Sequence, residues 1–379
     1  MSLSSSSSGA FADRYRGKRV LVTGHTGFKG AWLSEWLSDL GANVTGLALA
    51  PATTPALFDQ LQLADRIEHG VADVRDQARV AEIVARVQPE FVFHLAAQPL
   101  VRLSYDTPVE TYATNVMGTV HLLEALRRGG RPCVAVMITT DKCYENREWL
   151  HAYREEDPLG GYDPYSSSKA AAEIAIAAYR RSFFNPATQS PVKVASARAG
   201  NVIGGGDWAL DRIVPDAMRA LNRGESIPVR NPLATRPWQH VLEPLSGYLW
   251  LGALLDQPAL LQRSSAELCA AFNFGPGVAS NRPVGELITE ILKHRPGAWE
   301  DRRNPEAVHE AGLLNLATDK AYHLLRWLPV WNFEQTIAET VQWYSGEQAG
   351  DAPLALTRQQ IARYTAHARQ SGLPWATLS

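Results

Sequence analysis

The chain has 379 residues, of which 45% are apolar and 20% charged, and its 37 Lys and Arg against 39 Asp and Glu give a net charge of −2. This composition is typical of a soluble globular protein, and it argues against a protein that binds nucleic acid or a membrane surface. Three cysteines without paired spacing give no sign of a disulfide framework or a metal site. The opening MSLSSSSSGAF lacks the features of a signal peptide. We therefore predict a disordered tail over residues 1–16 and a cytoplasmic protein.

Strand-like apolar runs and helical patterns alternate through the first half of the chain. Strands are predicted at 18–24, 43–49, 66–74, 91–97, 133–140 and 192–200. Helices are predicted between them at 31–42, 78–88, 108–128 and 166–184. Near-continuous apolar strands that alternate with helices predict an α/β fold with a doubly wound, Rossmann-like parallel sheet. We assign this fold to a dinucleotide-binding domain over residues 17–200.

The pattern becomes irregular after residue 200, where Gly, Pro, Trp and Arg are frequent, as in GGGDW and TRPWQHV. Such irregular segments often form loops that face a ligand. We predict a smaller, mixed α/β substrate domain over residues 201–234 and 276–360. The segments at about 235–260 and 270–275 read as a helix and a strand that return to the first domain.

The stretch VTGHTGFKG places Gly24, Gly27 and Gly30 between the first strand and the first helix. Because glycine has no side chain, a phosphate can approach the backbone at the helix N-terminus there. The spacing differs from the usual G-x-G-x-x-G, and glycine turns between a strand and a helix are common. The loop alone therefore leaves both a dinucleotide site and an ordinary turn open.

The choice between NAD and NADP also stays open at this level. The region after the second strand reads GLALAPATT, without the acid that often holds the adenosine ribose and without an arginine for a 2′-phosphate. Asp73, near the end of the following strand, is either a contact to the adenine or a solvated turn residue.

The stretch YSSSK places Tyr165 and Lys169 four residues apart at the start of a helix, and therefore on one face. A neighbouring ammonium and a positive nicotinamide ring would lower the pKa of the phenol, which is ordinarily near 10. The pair could then take a proton from a sugar hydroxyl, with Thr140 hydrogen-bonded to the same hydroxyl. A surface Tyr and Lys on an amphipathic helix is the plainer alternative.

These residues, with the motifs TGHTGFKG, HLAAQ, NVMGT, TTDKCYEN, DPYSSSK and RPWQHV, resemble the extended short-chain dehydrogenase/reductase family from about Lys18 to about Tyr344. Within that family, GHTGFKG, TTDKCYEN and GNVIGGGDWA resemble the CDP-glucose 4,6-dehydratases. The resemblance implies a tightly bound NAD that is recycled in each turnover. The cofactor-binding residues that it implies are Gly24, Thr26, Gly27, Phe28, Gly30, Asp73, Val74, Leu95, Ala96, Ala97, Asn115, Tyr165 and Lys169.

The adjacent Asp141 and Lys142 directly follow Thr140 at a predicted strand end. After a sugar C4 hydroxyl is oxidised, removal of water across C5 and C6 needs one further acid and one further base. The resemblance implies Asp141 as the acid and Lys142 as the base. A lysine needs a pKa about 3 units below 10.4 to act as a base near pH 7, and an adjacent carboxylate opposes that shift. The alternative is a loop ion pair, although adjacent residues on an extended segment point in opposite directions.

The resemblance also implies a substrate site for CDP-glucose and a product, CDP-4-keto-6-deoxyglucose, used for deoxysugars of surface polysaccharides. Arg236 and Asn201 match residues that contact the diphosphate, and Ser104 matches a serine near the sugar. Arg212 is a further candidate, with a solvated helix face as the alternative. A homodimer through helices at 108–128 and 164–183 is implied, and a tetramer is not excluded.

Four other functions would use some of the same residues. A 4,6-dehydratase acting on another nucleotide-diphosphate sugar would carry the same machinery. A 4-epimerase needs no elimination pair, so the Asp141–Lys142 dipeptide argues against it. A reductase would exchange free NADPH in each turnover, and a tightly held cofactor would argue against that. A non-catalytic dinucleotide sensor is disfavoured because Tyr165, Lys169 and Thr140 are all present.

Overall fold

The computed structural model describes residues 9–303 and 312–378, so residues 1–8, 304–311 and 379 lie outside the described residues. The strands are β1 (Arg19–Thr23), β2 (Asn43–Ala48), β3 (Glu68–Val71), β4 (Phe91–His94), β5 (Cys133–Ile138), β6 (Val192–Ala199), β7 (Val202–Ile203), β8 (Ile227–Val229), β9 (Thr235–Pro237), β10 (Gln239–His240), β11 (Ala271–Phe274), β12 (Asn281–Pro283) and β13 (Trp299–Asp301). The α-helices are α1 (Phe28–Asp39), α2 (Leu57–Gln60), α3 (Gln77–Val87), α4 (Val101–Asp106), α5 (Pro108–Tyr112), α6 (Gly118–Gly129), α7 (Pro164–Ser182), α8 (Ile213–Asn222), α9 (Leu242–Asp256), α10 (Ser265–Leu268), α11 (Val284–His294), α12 (Phe333–Ala349), α13 (Pro353–Gln370) and α14 (Pro374–Thr377).

A seven-stranded sheet in the order β3-β2-β1-β4-β5-β6-β11 forms the centre of the molecule, and all of its pairings are parallel. The inner strands are apolar and buried on both faces, because helices cover the sheet from either side. The predicted doubly wound α/β fold is therefore confirmed. Strand order reverses between β1 and β4, and ligands of such sheets bind beyond the strand ends at that point.

Small two-stranded sheets stand apart from the main sheet, and they come from the second half of the chain. They pair β10 with β7, β12 with β9, and β13 with β8. In contrast, β11 joins the main sheet beside β6, and the buried helix α9 packs against β5 and β6. The predicted division into two domains stays a prediction, and its second part includes the segment 304–311 outside the described residues.

The residues just before β1 are ordered, which corrects the predicted disordered tail from Gly9 onwards. Ala10–Asp13 form one short helical turn, and Phe11 is fully buried with its ring stacked on Trp375 at 5.0 Å between centroids. The hydroxyl of Tyr15 donates a hydrogen bond to the carbonyl of Leu249 at 2.5 Å. The rest of the predicted tail, residues 1–8, lies outside the described residues.

Candidate active site

The loop between β1 and α1 leaves no room for side chains at two of its three glycines. Gly24 has a φ of +76°, and a Cβ there would lie 2.7 Å from the nitrogen of Ala96. A Cβ on Gly30 would lie 2.1 Å from the carbonyl oxygen of Gly24. Gly27 is exposed and no side chain caps α1, so its first backbone N–H groups face an open surface. This arrangement fits an anionic pyrophosphate at the helix N-terminus.

The residues after β4 lie directly beside this glycine loop. The nitrogens of Leu95 and Ala96 donate to the backbone oxygen and the hydroxyl of Thr23 at 3.1 and 3.2 Å. Ala97 follows, half-buried. Asn115 lies in a π-helical turn between α5 and α6 and donates to Ser168 of α7 at 2.8 Å. The predicted cofactor residues from three separate motifs therefore come together at one edge of the sheet.

The far end of the predicted cofactor site is less well defined. Thr26 donates through its hydroxyl to the carbonyl of Leu49 at 2.9 Å. Asp73 accepts two hydrogen bonds from the guanidinium of Arg75, which lower the pKa of that carboxyl. Val74 packs against α6, where it leaves no room for a side chain on Gly118. The adenine contact of Asp73 and the choice between NAD and NADP therefore stay predictions.

The start of α7 is fixed firmly in place, which positions Tyr165. Asp163 caps the helix by accepting from the nitrogen of Ser166 at 2.9 Å. Ser104, fully buried, donates to the carbonyl of Val101 at 2.6 Å and accepts from the nitrogen of Tyr165 at 3.1 Å. Ser104 thus holds the helix start, while its predicted contact with the sugar stays a prediction.

Tyr165 and Lys169 are both buried on one face of α7, as predicted from their spacing. Burial raises the pKa of Tyr165 to about 12, and a hydrogen bond with Thr140 opposes this rise. The protein's own groups thus shift the pKa of the phenol in the opposite direction from the one expected, because burial, aided by Asp141 and Asp163, outweighs the charge of Arg212. Burial also lowers the pKa of Lys169 to about 8, against the opposing charge of Glu173.

Asp141 and Lys142 form a contact that the sequence argument disfavoured. They lie in a 3-10 turn rather than on an extended segment, so their side chains reach the same space. One carboxylate oxygen of Asp141, Oδ1, accepts from Thr140 at 2.9 Å and from the Lys142 ammonium at 3.2 Å. Lys142 also lies 3.4 Å from the side-chain oxygen of Asn201. Asp141 is almost fully buried, at 1% exposure.

The second carboxylate oxygen of Asp141, Oδ2, has no hydrogen-bond partner among the described residues. A Cβ on Gly200 would lie 2.9 Å from this oxygen, so only a glycine lets the backbone approach Asp141 this closely. A buried carboxylate oxygen without a partner is costly in an ordinary protein core, and such cases call for an explanation. A ligand hydroxyl at this position would satisfy it.

Glu173 and Arg198 form a buried ion pair next to the ends of β5 and β6, which was not predicted from the sequence. Glu173 of α7 accepts from Arg198 at 2.9 Å, from Thr139 at 2.5 Å and from Ser196 at 2.8 Å. It thereby fixes α7 against β5 and β6. A weak signal for this pair exists in the residue types, since a lone Glu in an alanine-rich helix and an Arg in an apolar strand both require partners.

Three predicted substrate residues, Asn201, Arg212 and Arg236, lie in the part of the chain that follows β6. Arg212 pairs with Asp207 at 2.8 Å, and its charge acts on the phenol of Tyr165. Arg236 lies on β9 and donates to the carbonyl of Thr235 at 2.9 Å. The ring of the next residue, Pro237, packs close to Gly200, since a Cβ on that glycine would lie 3.2 Å from it. Contacts of Arg212, Arg236 and Asn201 with a diphosphate stay predictions.

Phe28 and Lys29, the first residues of α1, line the same region. A Cβ on Gly204 would lie 3.3 Å from the Phe28 ring. The ammonium of Lys29 donates to the hydroxyl of Tyr248 at 3.1 Å. Lys29 was not predicted as a site residue. Its signal is a lysine in the first turn of a helix, where the helix dipole disfavours a cation.

Comparisons with known proteins give the family. Residues 21–273 match the family profile described as GDP-mannose 4,6 dehydratase. The chain belongs to this family. It is 46% identical to a CDP-glucose 4,6-dehydratase of Salmonella typhimurium, over 92% of this chain and 97% of that protein. A UDP-glucose 4-epimerase of Mycolicibacterium smegmatis is 26% identical over 86% of this chain and 98% of its own.

Solved structures share the fold at lower identity. A dTDP-glucose 4,6-dehydratase from Bacillus anthracis in complex with NAD matches with a TM-score of 0.70 and 22% identity, over 88% of this chain and 99% of its own. A UDP-glucose 4-epimerase from Thermotoga maritima matches with a TM-score of 0.73 and 21% identity, over 87% and 99%. Among the described residues, none of the helices has the length and apolar character to cross a bilayer.

Proposed function

We propose that the chain is an NAD-dependent CDP-glucose 4,6-dehydratase that forms CDP-4-keto-6-deoxyglucose and water. The observation that carries this proposal is the buried Asp141 beside Thr140 and Tyr165, because no described residue hydrogen-bonds its Oδ2. An epimerase or a reductase on this fold has no use for an additional buried carboxyl group there. The similarity to the Salmonella typhimurium protein supports CDP-glucose as the substrate.

The glycine loop and the residues after β4 would hold the dinucleotide, and the start of α1 at Gly27 would suit its pyrophosphate. NAD⁺, when bound, accepts the C4 hydride of the sugar and later returns it to C6. Tyr165 as phenolate takes the proton of the C4 hydroxyl, and Lys169 stabilises that phenolate. Since the pKa of Tyr165 is raised by burial, the charges that arrive with the ligands must favour the phenolate.

Asp141 and Lys142 can supply both groups for elimination from one ion pair. Transfer of one proton along their 3.2 Å hydrogen bond converts the ammonium and carboxylate into an amine and a carboxylic acid. Lys142 then takes the proton from C5 while Asp141 protonates the C6 hydroxyl, which leaves as water and gives a C5–C6 double bond. Hydride addition at C6 and proton addition at C5 complete the product.

The test is mass spectrometry of the product after incubation with CDP-glucose in D₂O. Loss of one water with one deuterium gained at C5 would support elimination through C5. An isomer with no loss of water would instead indicate an epimerase. If the protein dehydrated dTDP- or GDP-sugars but not CDP-glucose, the assignment of cytosine as the nucleobase would be wrong and the proposed elimination would stand.

The second part of the proposal concerns the oligomeric state and the cellular location of the protein. We infer a homodimer, with a tetramer as the alternative, through α5, α6 and α7. Val109, Tyr112 and Ile174 on these helices are 75%, 40% and 60% exposed, and Met117 in the π-helical turn between α5 and α6 is 46% exposed, although large apolar side chains are usually covered. We further propose a cytoplasmic enzyme whose product feeds deoxysugar synthesis for lipopolysaccharide O-antigen. Light scattering on the purified protein tests the dimer, and Val109→Glu together with Ile174→Glu should yield a monomer.

A further inference from the structure

Thr139 is the residue at which the chain leaves the main sheet after β5. Its backbone nitrogen donates to the carbonyl of Ala197 on β6 at 2.9 Å. Its buried hydroxyl donates to Oε1 of Glu173 on α7 at 2.5 Å. The chain then passes through Thr140 into the 3-10 turn that carries Asp141. Thr139 is therefore tied to both β6 and α7 directly before the residues of the proposed reaction.

The two carboxylate oxygens of Glu173 have different partners. Oε2 accepts from Ser196 at 2.8 Å and from Arg198 at 2.9 Å. Among the described residues, Thr139 alone donates a hydrogen bond to Oε1. A hydroxyl this close to an ionised carboxylate forms a strong, charge-assisted hydrogen bond. Without the Thr139 hydroxyl, Oε1 would be a buried, charged acceptor in need of another donor.

Lys169 is the donor that the helix brings nearest to this carboxylate. It precedes Glu173 by four positions on α7, a spacing at which side chains meet on one face of a helix. Both side chains are buried, and the charge of Glu173 opposes the lowering of the Lys169 pKa by burial. The Lys169 ammonium nevertheless lies 3.5 Å from the carbonyl oxygen of Ile138, at the end of β5. Glu173 is thus a competing partner for the lysine, and its two oxygens are already taken by other donors.

The inference rests on the proposed function, in which Lys169 stabilises the phenolate of Tyr165. An ammonium drawn into an ion pair with Glu173 would be less available to that phenolate. Thr140 is hydrogen-bonded with Tyr165, and it follows Thr139 directly in the chain. Two groups that act on Tyr165 therefore depend on where one hydroxyl is held.

We propose that Thr139 is a positioning residue, whose hydroxyl keeps Glu173 from binding Lys169 and fixes the chain at Thr140. The hydroxyl acts through these neighbours and takes no part in proton transfer. Its loss should slow the oxidation of C4, the step in which Tyr165 takes a proton from the sugar. Binding of CDP-glucose should be unaffected, because Thr139 faces the interior of the protein.

The test compares wild type with Thr139→Val, which has nearly the same shape and lacks the hydroxyl. The kcat for CDP-glucose should fall about 10–100-fold with KM nearly unchanged, since small displacements of reacting groups have effects of this size. The isotope effect on kcat with CDP-glucose deuterated at C4 should increase, because removal of that hydrogen becomes slower than the other steps. Thr139→Ser keeps the hydroxyl and should retain the kcat and the isotope effect of wild type.

Ser196→Ala is the matched control, since it removes a hydroxyl donor from the other oxygen of the same carboxylate. It should lower the guanidinium midpoint of unfolding about as much as Thr139→Val does, while kcat stays that of wild type. Circular dichroism shows whether each variant is folded. If valine prevents folding, Thr139→Ala takes its place, with the same expected loss of kcat.

Four results would overturn the inference. Equal losses of kcat in Thr139→Val and Ser196→Ala would show that the hydroxyl only supports Glu173. A loss in Thr139→Ser as large as that in Thr139→Val would show that the hydroxyl is not the cause. A wild-type kcat and isotope effect in Thr139→Val would show that the reacting groups do not depend on it. If the wild-type protein failed to convert CDP-glucose, the proposed function would fall and the inference with it.

Discussion

Two buried polar clusters in this molecule differ in how completely their hydrogen bonds are satisfied. At the strand ends, Asp141 keeps one carboxylate oxygen without a partner among the described residues. Between α9 and the C-terminal helices, Glu243 has both oxygens engaged: Trp331 donates to one at 2.8 Å, and Val330 and Tyr364 donate to the other at 2.9 and 2.7 Å. Both carboxyl groups are buried, so burial alone does not identify a site. Asp141 differs in combining this unpartnered oxygen with contacts to Thr140 and Lys142.

The largest expected effect tests the strand-end cluster through its chemistry. Tyr165→Phe removes the hydroxyl that exchanges the C4 proton, and turnover of CDP-glucose should fall about 10³-fold. The matched control is Tyr162→Phe, which alters a tyrosine on the same segment that is 80% exposed. Steady-state kinetics with both variants gives the comparison. A loss below tenfold in Tyr165→Phe would remove this residue from the proposed mechanism.

The buried ion pair of Arg198 with Glu173 should lower protein stability strongly when one partner is removed. Arg198→Met leaves Glu173 charged in the core without its cation, which should lower the free energy of unfolding by about 3–5 kcal/mol. Guanidinium denaturation measures the change. The same substitution at the exposed Arg181 of α7 serves as the control. Equal losses in the two variants would mean that the buried ion pair has no special weight.

Glu243 should make stability depend on pH. Burial raises its pKa to about 7, so the folded protein keeps a proton that the unfolded chain releases above its ordinary pKa of about 4.5. The free energy of unfolding should therefore fall as the pH rises from about 5 to 7, by about 2 kcal/mol, and then level off. Glu243→Gln should lack this decrease. If the free energy of unfolding changed with pH to the same extent in wild type and Glu243→Gln, the assignment to Glu243 would be wrong.

The smallest expected effect comes from the loss of one hydrogen bond in the cluster around Glu243. Tyr364→Phe removes the hydroxyl donor to Glu243 and should cost about 1 kcal/mol of unfolding free energy. Because the anionic form of Glu243 loses a donor, the pH-dependent decrease should also move to higher pH. Tyr322→Phe, at a tyrosine 40% exposed, is the control. Thermal denaturation at several pH values resolves both effects.

The parts of the fold that could be predicted from sequence are those set by local patterns. Alternating apolar runs gave the parallel sheet, and the four-residue spacing of Tyr165 and Lys169 placed both on one face of α7. The order of Phe11 could not be predicted, since a serine-rich segment precedes it and its partner Trp375 lies at the other end of the chain. Only tertiary packing creates that contact.

The site shows the same division between local and long-range information. The contact of Asp141 with Lys142 depends on a 3-10 turn that no periodic pattern announces. The use of Ser104 to hold α7, and the pairing of Lys29 with Tyr248, join residues 61 and 219 positions apart. Residue types therefore indicated the chemistry, whereas the partners of each side chain required the fold.

The aromatic packing of the molecule has a spectroscopic consequence. The tryptophans that are less than 2% exposed belong to the core that joins the sheet to the C-terminal helices. They are Trp32, Trp36, Trp250, Trp327, Trp343 and Trp375. Since emission from buried indoles shifts to longer wavelength when water reaches them, intrinsic fluorescence of this protein would chiefly register the loosening of that core. Tyr165 and Asp141 would contribute little to such a signal, so a ligand-induced change at the strand ends calls for a different optical reporter.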